Sequence, residues 1–142
     1  MAKFIGKNTR IKVGGVDLST SIASVEVTET VDEIETTAFG QAARSRIAGL
    51  KDASVTISFH QDYATGAVAD TIGSVFGGTT SVVILAATAT AQGTATATSP
   101  LYTIPVLASQ QTPVNGQVGD IVTFDVTWPA IGEITKSTSG TF

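Results

Sequence analysis

Residues 53–60 read ASVTISFH, and this stretch decides the fold class. Val55, Ile57 and Phe59 point one way; Ser54, Thr56 and Ser58 point the other. Side chains alternate across a strand with a period of two, so the stretch is a strand with one buried and one wet face. Upstream, Ile22 to Thr30 repeats the pattern, with Val25 and Val27 opposite Ser24, Glu26 and Thr28. Downstream, Asp120 to Trp128 carries Val122, Phe124, Val126 and Trp128 on a face with no polar residue, opposite the mixed face of Ile121, Thr123, Asp125 and Thr127. Arg10 to Val13 and Val16 to Leu18 flank Gly14-Gly15, the signature of a tight hairpin.

The remaining segments complete a mainly β chain. Ser81 to Ala87 is apolar nearly throughout, as in a strand buried on both faces. Leu101 to Ser109 is a strand that Pro105 confines to an edge or a bulge. Pro113, Asn115 and Gly116 mark a turn. One helix is expected over Asp62 to Phe76. Ala64, Ala67, Val68, Ile72, Val75 and Phe76 form its apolar stripe, Asp62 is its N-cap, and Gly77-Gly78 stops it. Val31 to Gln41 reads as a long connection between strands, and Ala42 to Leu50 suits a short helix or a returning strand. Thr88 to Ser99 is a low-complexity Thr/Ala stretch, a surface loop or an edge hairpin. The sum is a β-sandwich or barrel of about eight strands with one flanking helix and a long extended hairpin or loop. A chain of 142 residues fits a single domain, with a short arm over 1–9 and a flexible tail over 137–142.

Composition excludes several classes of function. The chain has no Cys, hence no disulfide, thiolate nucleophile or Cys-based metal site, which favours a cytosolic birthplace. The net charge of -4 argues against a general nucleic-acid binder, which carries a basic face. No apolar run follows the basic start in the manner of a secretory signal, and the longest one, Val82 to Ala87, is far too short to span a membrane. Only 14% of residues are charged, which suits a chain that covers much of its surface with neighbours. The lone His60 is all that a Ser-His-Asp triad could use, and it reads as a strand-end surface residue. Asp32, Glu33 and Glu35 lack the Gly and Asn pattern of a calcium loop. Neither glycine pair has the lysine or the βαβ setting of a phosphate cradle. No catalytic residue, metal or cofactor is expected.

Charge is distributed unevenly along the chain. Glu26, Glu29, Asp32, Glu33 and Glu35 occupy one stretch without a base. Lys3, Lys7, Arg10 and Lys12 occupy the start without an acid, and Arg44, Arg46 and Lys51 form a second basic group. Such runs can be solvated strand faces. They can also be self-complementary, with acids of one copy meeting bases of the next in a head-to-tail contact.

The order of these segments resembles the major tail tube proteins of long-tailed, siphovirus-like bacteriophages. The likeness rests on ETVDEIETTAFG (29–40), RIAGLKDASVTISFHQD (46–62), a helix, SVVILAA (81–87), YTIPVLAS (102–109) and GDIVTFDVTWPAIGEIT (119–135). It spans about Val13 to Thr135 and consists of strand, turn and helix patterns rather than a fingerprint. It implies a structural virion subunit, not an enzyme, made in the host cytoplasm and carried in the phage tail. Homohexameric rings would stack into a hollow tube through which DNA passes without specific binding, in company with tape-measure and tail-terminator proteins. Ser21 to Thr37 and Ala42 to Ser54 would be the inner strands, and the acids from Glu26 to Glu35 would line or approach the lumen. The same residues leave open a head decoration or tail-completion protein, or an adhesive β-sandwich in which Trp128 would stack on sugar rather than sit in a core or interface.

Overall fold

The computed structural model describes residues 9–78, 81–86, 97 and 100–140. The described residues form nine strands, arranged as two facing sheets, one short α-helix and a 3-10 turn at Ser19–Ser21. One sheet holds β1 (Arg10–Val13), β2 (Val16–Asp17), β5 (Ser81–Ala86), β6 (Leu101–Val106) and β9 (Thr135–Ser137), in the order β2-β1-β5-β6-β9. The other holds β3 (Ile22–Glu35), β4 (Arg46–His60), β7 (Thr112–Asn115) and β8 (Thr123–Pro129), in the order β3-β4-β8-β7. All pairings are antiparallel. Alternating side chains explain the two layers: each sheet has an apolar face, and the two faces bury one another.

The core lies between the sheets. Val55, Ile57, Phe59, Phe124, Val126 and Trp128 come from one, and Ile11, Val13, Val83, Ile104 and Val106 from the other. Trp128 is wholly buried, and its indole N–H donates to the Gln110 carbonyl at 2.8 Å. That placement settles it as a core residue, so Trp128 is not available to stack on a sugar. The Gly14-Gly15 hairpin forms as expected, with both glycines at positive φ (57° and 87°) and Val13 opposite Val16.

Several expectations need correction. The helix α1 spans only Val68–Val75, burying Val68, Thr71 and Ile72. Gly66, at φ 78°, breaks the chain before it, and Asp62 caps a turn instead, accepting the Ala64 amide at 2.9 Å. Pro113 and Asn115 lie within β7, an edge strand that tolerates proline because one of its sides has no ladder. Val122 lies outside β8 and is 38% exposed, not part of the core. Val31 to Glu35 belongs to β3 rather than to a connection, and of the two readings of Ala42 to Leu50 the returning strand holds, as β4 from Arg46. Ser137, assigned to the tail, pairs with Leu101. Most of Thr88 to Ser99 lies outside the described residues.

Candidate assembly surface

The β3–β4 hairpin is far longer than the sheet it belongs to. β3 has 14 residues and β4 has 15, yet β8 accompanies β4 only from His60 to Ser54. Beyond that point β3 and β4 continue as a bare two-stranded ribbon, from Glu29 opposite Ala53 to Glu35 opposite Arg46. A two-stranded ribbon is marginal in water without further packing. In addition, β3 ends the sheet order, so among the described residues its second edge carries no ladder along its whole length. An open edge of this length is a template for another strand.

The tip is well tied. The Thr36 amide donates to the Ser45 carbonyl at 2.8 Å, and the two hydroxyls lie 2.9 Å apart. The Ser45 amide donates to Thr37 Oγ1 at 2.9 Å and the Ala38 amide to Gln41 Oε1 at 2.8 Å. At the base, the ribbon meets the β8–β9 connection, where the Ala130 amide donates to the Ala53 carbonyl at 2.9 Å. There Lys51 Nζ and Glu133 Oε1 form an ion pair at 2.5 Å. The hydrogen bond and charge of the pair raise the Lys51 pKa and lower that of Glu133.

The structure divides the acidic residues between two faces. Strand alternation puts Glu29, Glu33 and Glu35 on the side that continues the core face, and Glu26 and Asp32 on the outer side. As far as the base of the ribbon the outer side of the sheet is polar: Glu26 stands opposite Thr56, Thr28 opposite Ser54, Thr30 opposite Asp52, and Ser58 opposite Asp125; toward the tip, Ile34 stands opposite Ile47 on the same side as Asp32. Ser58 Oγ donates to Asp125 at 2.6 Å, and Asn115 Nδ2 to the other oxygen of that carboxylate at 2.8 Å. The register puts no Lys or Arg on this outer side.

Five of the described bases, Arg10, Lys12, Arg44, Arg46 and Lys51, have acids near them within the same chain. Arg44 Nε lies 4.0 Å from Glu35 and Arg46 Nε 3.7 Å from Glu33. Arg10 and Lys12 belong to the other sheet, where their charges act on Asp17. Burial pushes the Asp17 carboxyl up, but hydrogen bonds from the Ser19 hydroxyl and amide, joined by those two charges, outweigh it and hold the pKa below the usual range. Lys3 and Lys7 lie outside the described residues. Exposed pairs of this kind are weak, so charge by itself does not mark the surface.

Exposed apolar side chains mark it better, and these escaped the sequence reading. Val31, Ile34, Ile47, Leu50 and Phe39 are all exposed along the ribbon. A second group, Val114, Val118, Ile121 and Val122, surrounds the β7–β8 connection. Val31, Ile34, Phe39 and Val114 lay in stretches read as connection or turn, whereas Ile47, Leu50, Ile121 and Val122 lay in stretches open to a strand reading, where their exposure leaves no mark in the sequence. The buried Nδ1 of His60 has no hydrogen-bond partner, whereas a triad histidine needs an acid there. Among the described residues no three His, Cys, Asp or Glu side chains are grouped to hold a metal, and no helix is long and apolar enough to cross a membrane.

No family model and no curated protein sequence matches the chain. Solved structures do match its fold. A chain in the virion of a native gene transfer agent (GTA) particle superimposes with a TM-score of 0.71 at 12% identity, covering 95% of this chain and 99% of that one. A chain in the tail of an empty GTA particle, refined with C6 helical symmetry, gives 0.65 at 14% identity over 94% and 98%. A chain in the extended-state sheath/tube terminator of the PVC extracellular contractile injection system gives 0.73 at 14% identity over 96% and 98%. The sandwich with its long hairpin is thus a fold present in all three of these assemblies.

Proposed function

We propose that the chain is a structural tail protein of a phage-like particle, a tube subunit that assembles with copies of itself. The observation that carries this is the open edge of β3, 14 residues long and running out onto an unsupported ribbon. Strand addition to that edge stabilises ribbon and neighbour together. The other end of the sheet order is β7, so copies set side by side would pair β3 of one with β7 of the next and close a barrel. The C6 tail among the structural neighbours supports six copies per ring. The wall of the lumen would then be the outer side of the sheet, with Glu26, Asp32, Asp52 and Asp125 among hydroxyls and the apolar pair Ile34 and Ile47 toward the hairpin tip. A negative wall repels phosphates, so DNA passes without sticking. The tail of a siphovirus-like particle is the setting this fits, with tape-measure and terminator proteins as neighbours.

The terminator among the neighbours favours a second reading, a completion protein that forms one ring and no tube. Negative-stain microscopy of the purified chain at high concentration separates the two. Tubes are expected. Rings that never elongate would favour the completion protein, and monomers alone would remove both.

A further inference from the structure

We propose that Asn115-Gly116 is a self-modification site, at which the Gly116 nitrogen closes on the Asn115 side-chain amide and the residue ends as aspartate or isoaspartate. Asn115 is one of two asparagines in the chain and the only one followed by glycine. Glycine has no side chain to screen its nitrogen and leaves the backbone free to turn that nitrogen onto Cγ. The new N–Cγ bond closes a succinimide ring. The side-chain nitrogen leaves as ammonia, taking the proton from the Gly116 amide. Water then opens the ring at either carbonyl. One amide and one water thus become one carboxylic acid and one ammonia, and no other reactant is needed.

The fold holds this labile pair in place. A Cβ at residue 116 would stand 3.2 Å from Val122 Cγ2 and 3.3 Å from Val122 Cα, so the position is tight for any larger residue. Asn115 Nδ2 donates to Asp125, which also accepts from Ser58, and the Asn115 carbonyl accepts from Thr123 Oγ1 at 3.3 Å. Those bonds oppose the attack while they hold, but they sit at a weak place in the sheet. Asn115 is the last residue of β7, an edge strand of four residues, and its ladder to β8 is irregular between Thr112 and Asn115. Asn115 and Gly116 are both exposed, and the chain from Gly116 to Val122 belongs to no strand. Fraying of such an exposed strand end needs little free energy. Each opening frees the side chain from Asp125 to meet the Gly116 nitrogen.

Conversion loosens β7 itself. Aspartate at 115 sets a carboxylate against Asp125 where an amide donated, and like charges repel across a strand pair. Isoaspartate routes the main chain through the former side chain and adds a methylene, which undoes the pairing of residue 115 with Thr123. No β7 residue belongs to the core cluster, so the sandwich survives. The edge that is lost is the one the tube-subunit reading pairs with β3 of the next copy. On that reading, and only on it, assembled copies are protected.

In the test, the purified chain is kept in warm, mildly alkaline buffer, both dissolved and as tubes. The chymotryptic peptide spanning 108–124 is followed by mass spectrometry, and isoaspartate is counted by enzymatic methyl transfer. Loss of the Asn115 amide is expected in the dissolved chain. Asn115→Gln, which keeps the donor but closes its ring far more slowly, is expected to abolish it. Asn115→Asp should reproduce the loosened edge, with faster hydrogen exchange at 112–115 and an unchanged melting temperature. An Asn115 that keeps its amide in the folded chain would overturn the proposal, and conversion of the urea-unfolded chain beside it would trace the suppression to the Asp125 bond. Tubes that convert as fast as the dissolved chain would overturn the protection while leaving the site. If no tubes form, the subunit reading fails, and the conversion is still read in the dissolved chain.

Discussion

Gly49 shows how one residue shapes the surface. Between the pairs Val31–Lys51 and Glu33–Ala48, β4 has one more residue than β3, a bulge that bends the ribbon. A Cβ at Gly49 would stand 3.0 Å from the Asp32 Cβ and 3.0 Å from Ile34 Cδ1. Gly49→Ala must therefore push β3 aside where nothing else braces it. Hydrogen exchange is expected to speed up at 29–35 and 46–52, while the thermal midpoint of the sandwich stays put. Asp17 makes a different kind of contribution. Its lowered pKa means that the unfolded chain binds this proton more readily than the folded one. Its stabilisation is full above the ordinary carboxylate range and is lost as pH falls through the lowered folded value. Denaturant midpoints of Asp17→Asn should accordingly fall below wild type at neutral pH and converge with it below about pH 4.

Among the elements, the ribbon is separable from the sandwich. None of its residues from Glu29 to Glu35 or from Arg46 to Asp52 belongs to the core cluster. Joining Thr30 to Asp52, which are register partners, through an Asn-Gly turn is expected to give a folded monomer. Circular dichroism should show the same melting, and light scattering should show no assembly. Wild-type association by this variant would mean the ribbon is dispensable. The elements that bury a face were legible in the sequence, because burial writes a period: Val55, Ile57 and Phe59 announced β4, and Phe124, Val126 and Trp128 announced β8. The ribbon writes no such period, because neither of its faces is covered within one chain, so Val31 to Glu35 looked like a connection and its strands at Ser21 to Thr37 and Ala42 to Ser54 came only from the resemblance. The helix was overdrawn, since Gly66 and the Asp62 turn cut off its first half while leaving its apolar spacing intact. The acidic residues were found by composition, but their division between two faces needed the register of β3. The edge position of β3 follows from which strands pair, which depends on contacts far apart in the chain.

At the scale of the whole molecule, that division predicts two different consequences for charge reversal. Glu33 and Glu35 face Arg46 and Arg44 across the ribbon, so changing both to Lys sets like charges opposite each other in a two-stranded element. The sandwich has its own core and should keep its stability, but the ribbon should open and tubes should fail to form. Glu26 and Asp32 lie on the other side, and no ion pair among the described residues involves them. Changing both to Lys should leave assembly possible, since the ribbon ladder and the exposed apolar ends are untouched. What changes is the wall: each ring of six would gain positive charge where the proposed lumen lies. Tubes of this second variant should retain added double-stranded DNA and release it steeply with rising salt, as counterion-driven binding requires. Wild-type tubes should retain little at the same ionic strength. If both double variants fail alike to assemble, Glu26 and Asp32 belong to a contact between copies, and the acidic face is not the lumen wall.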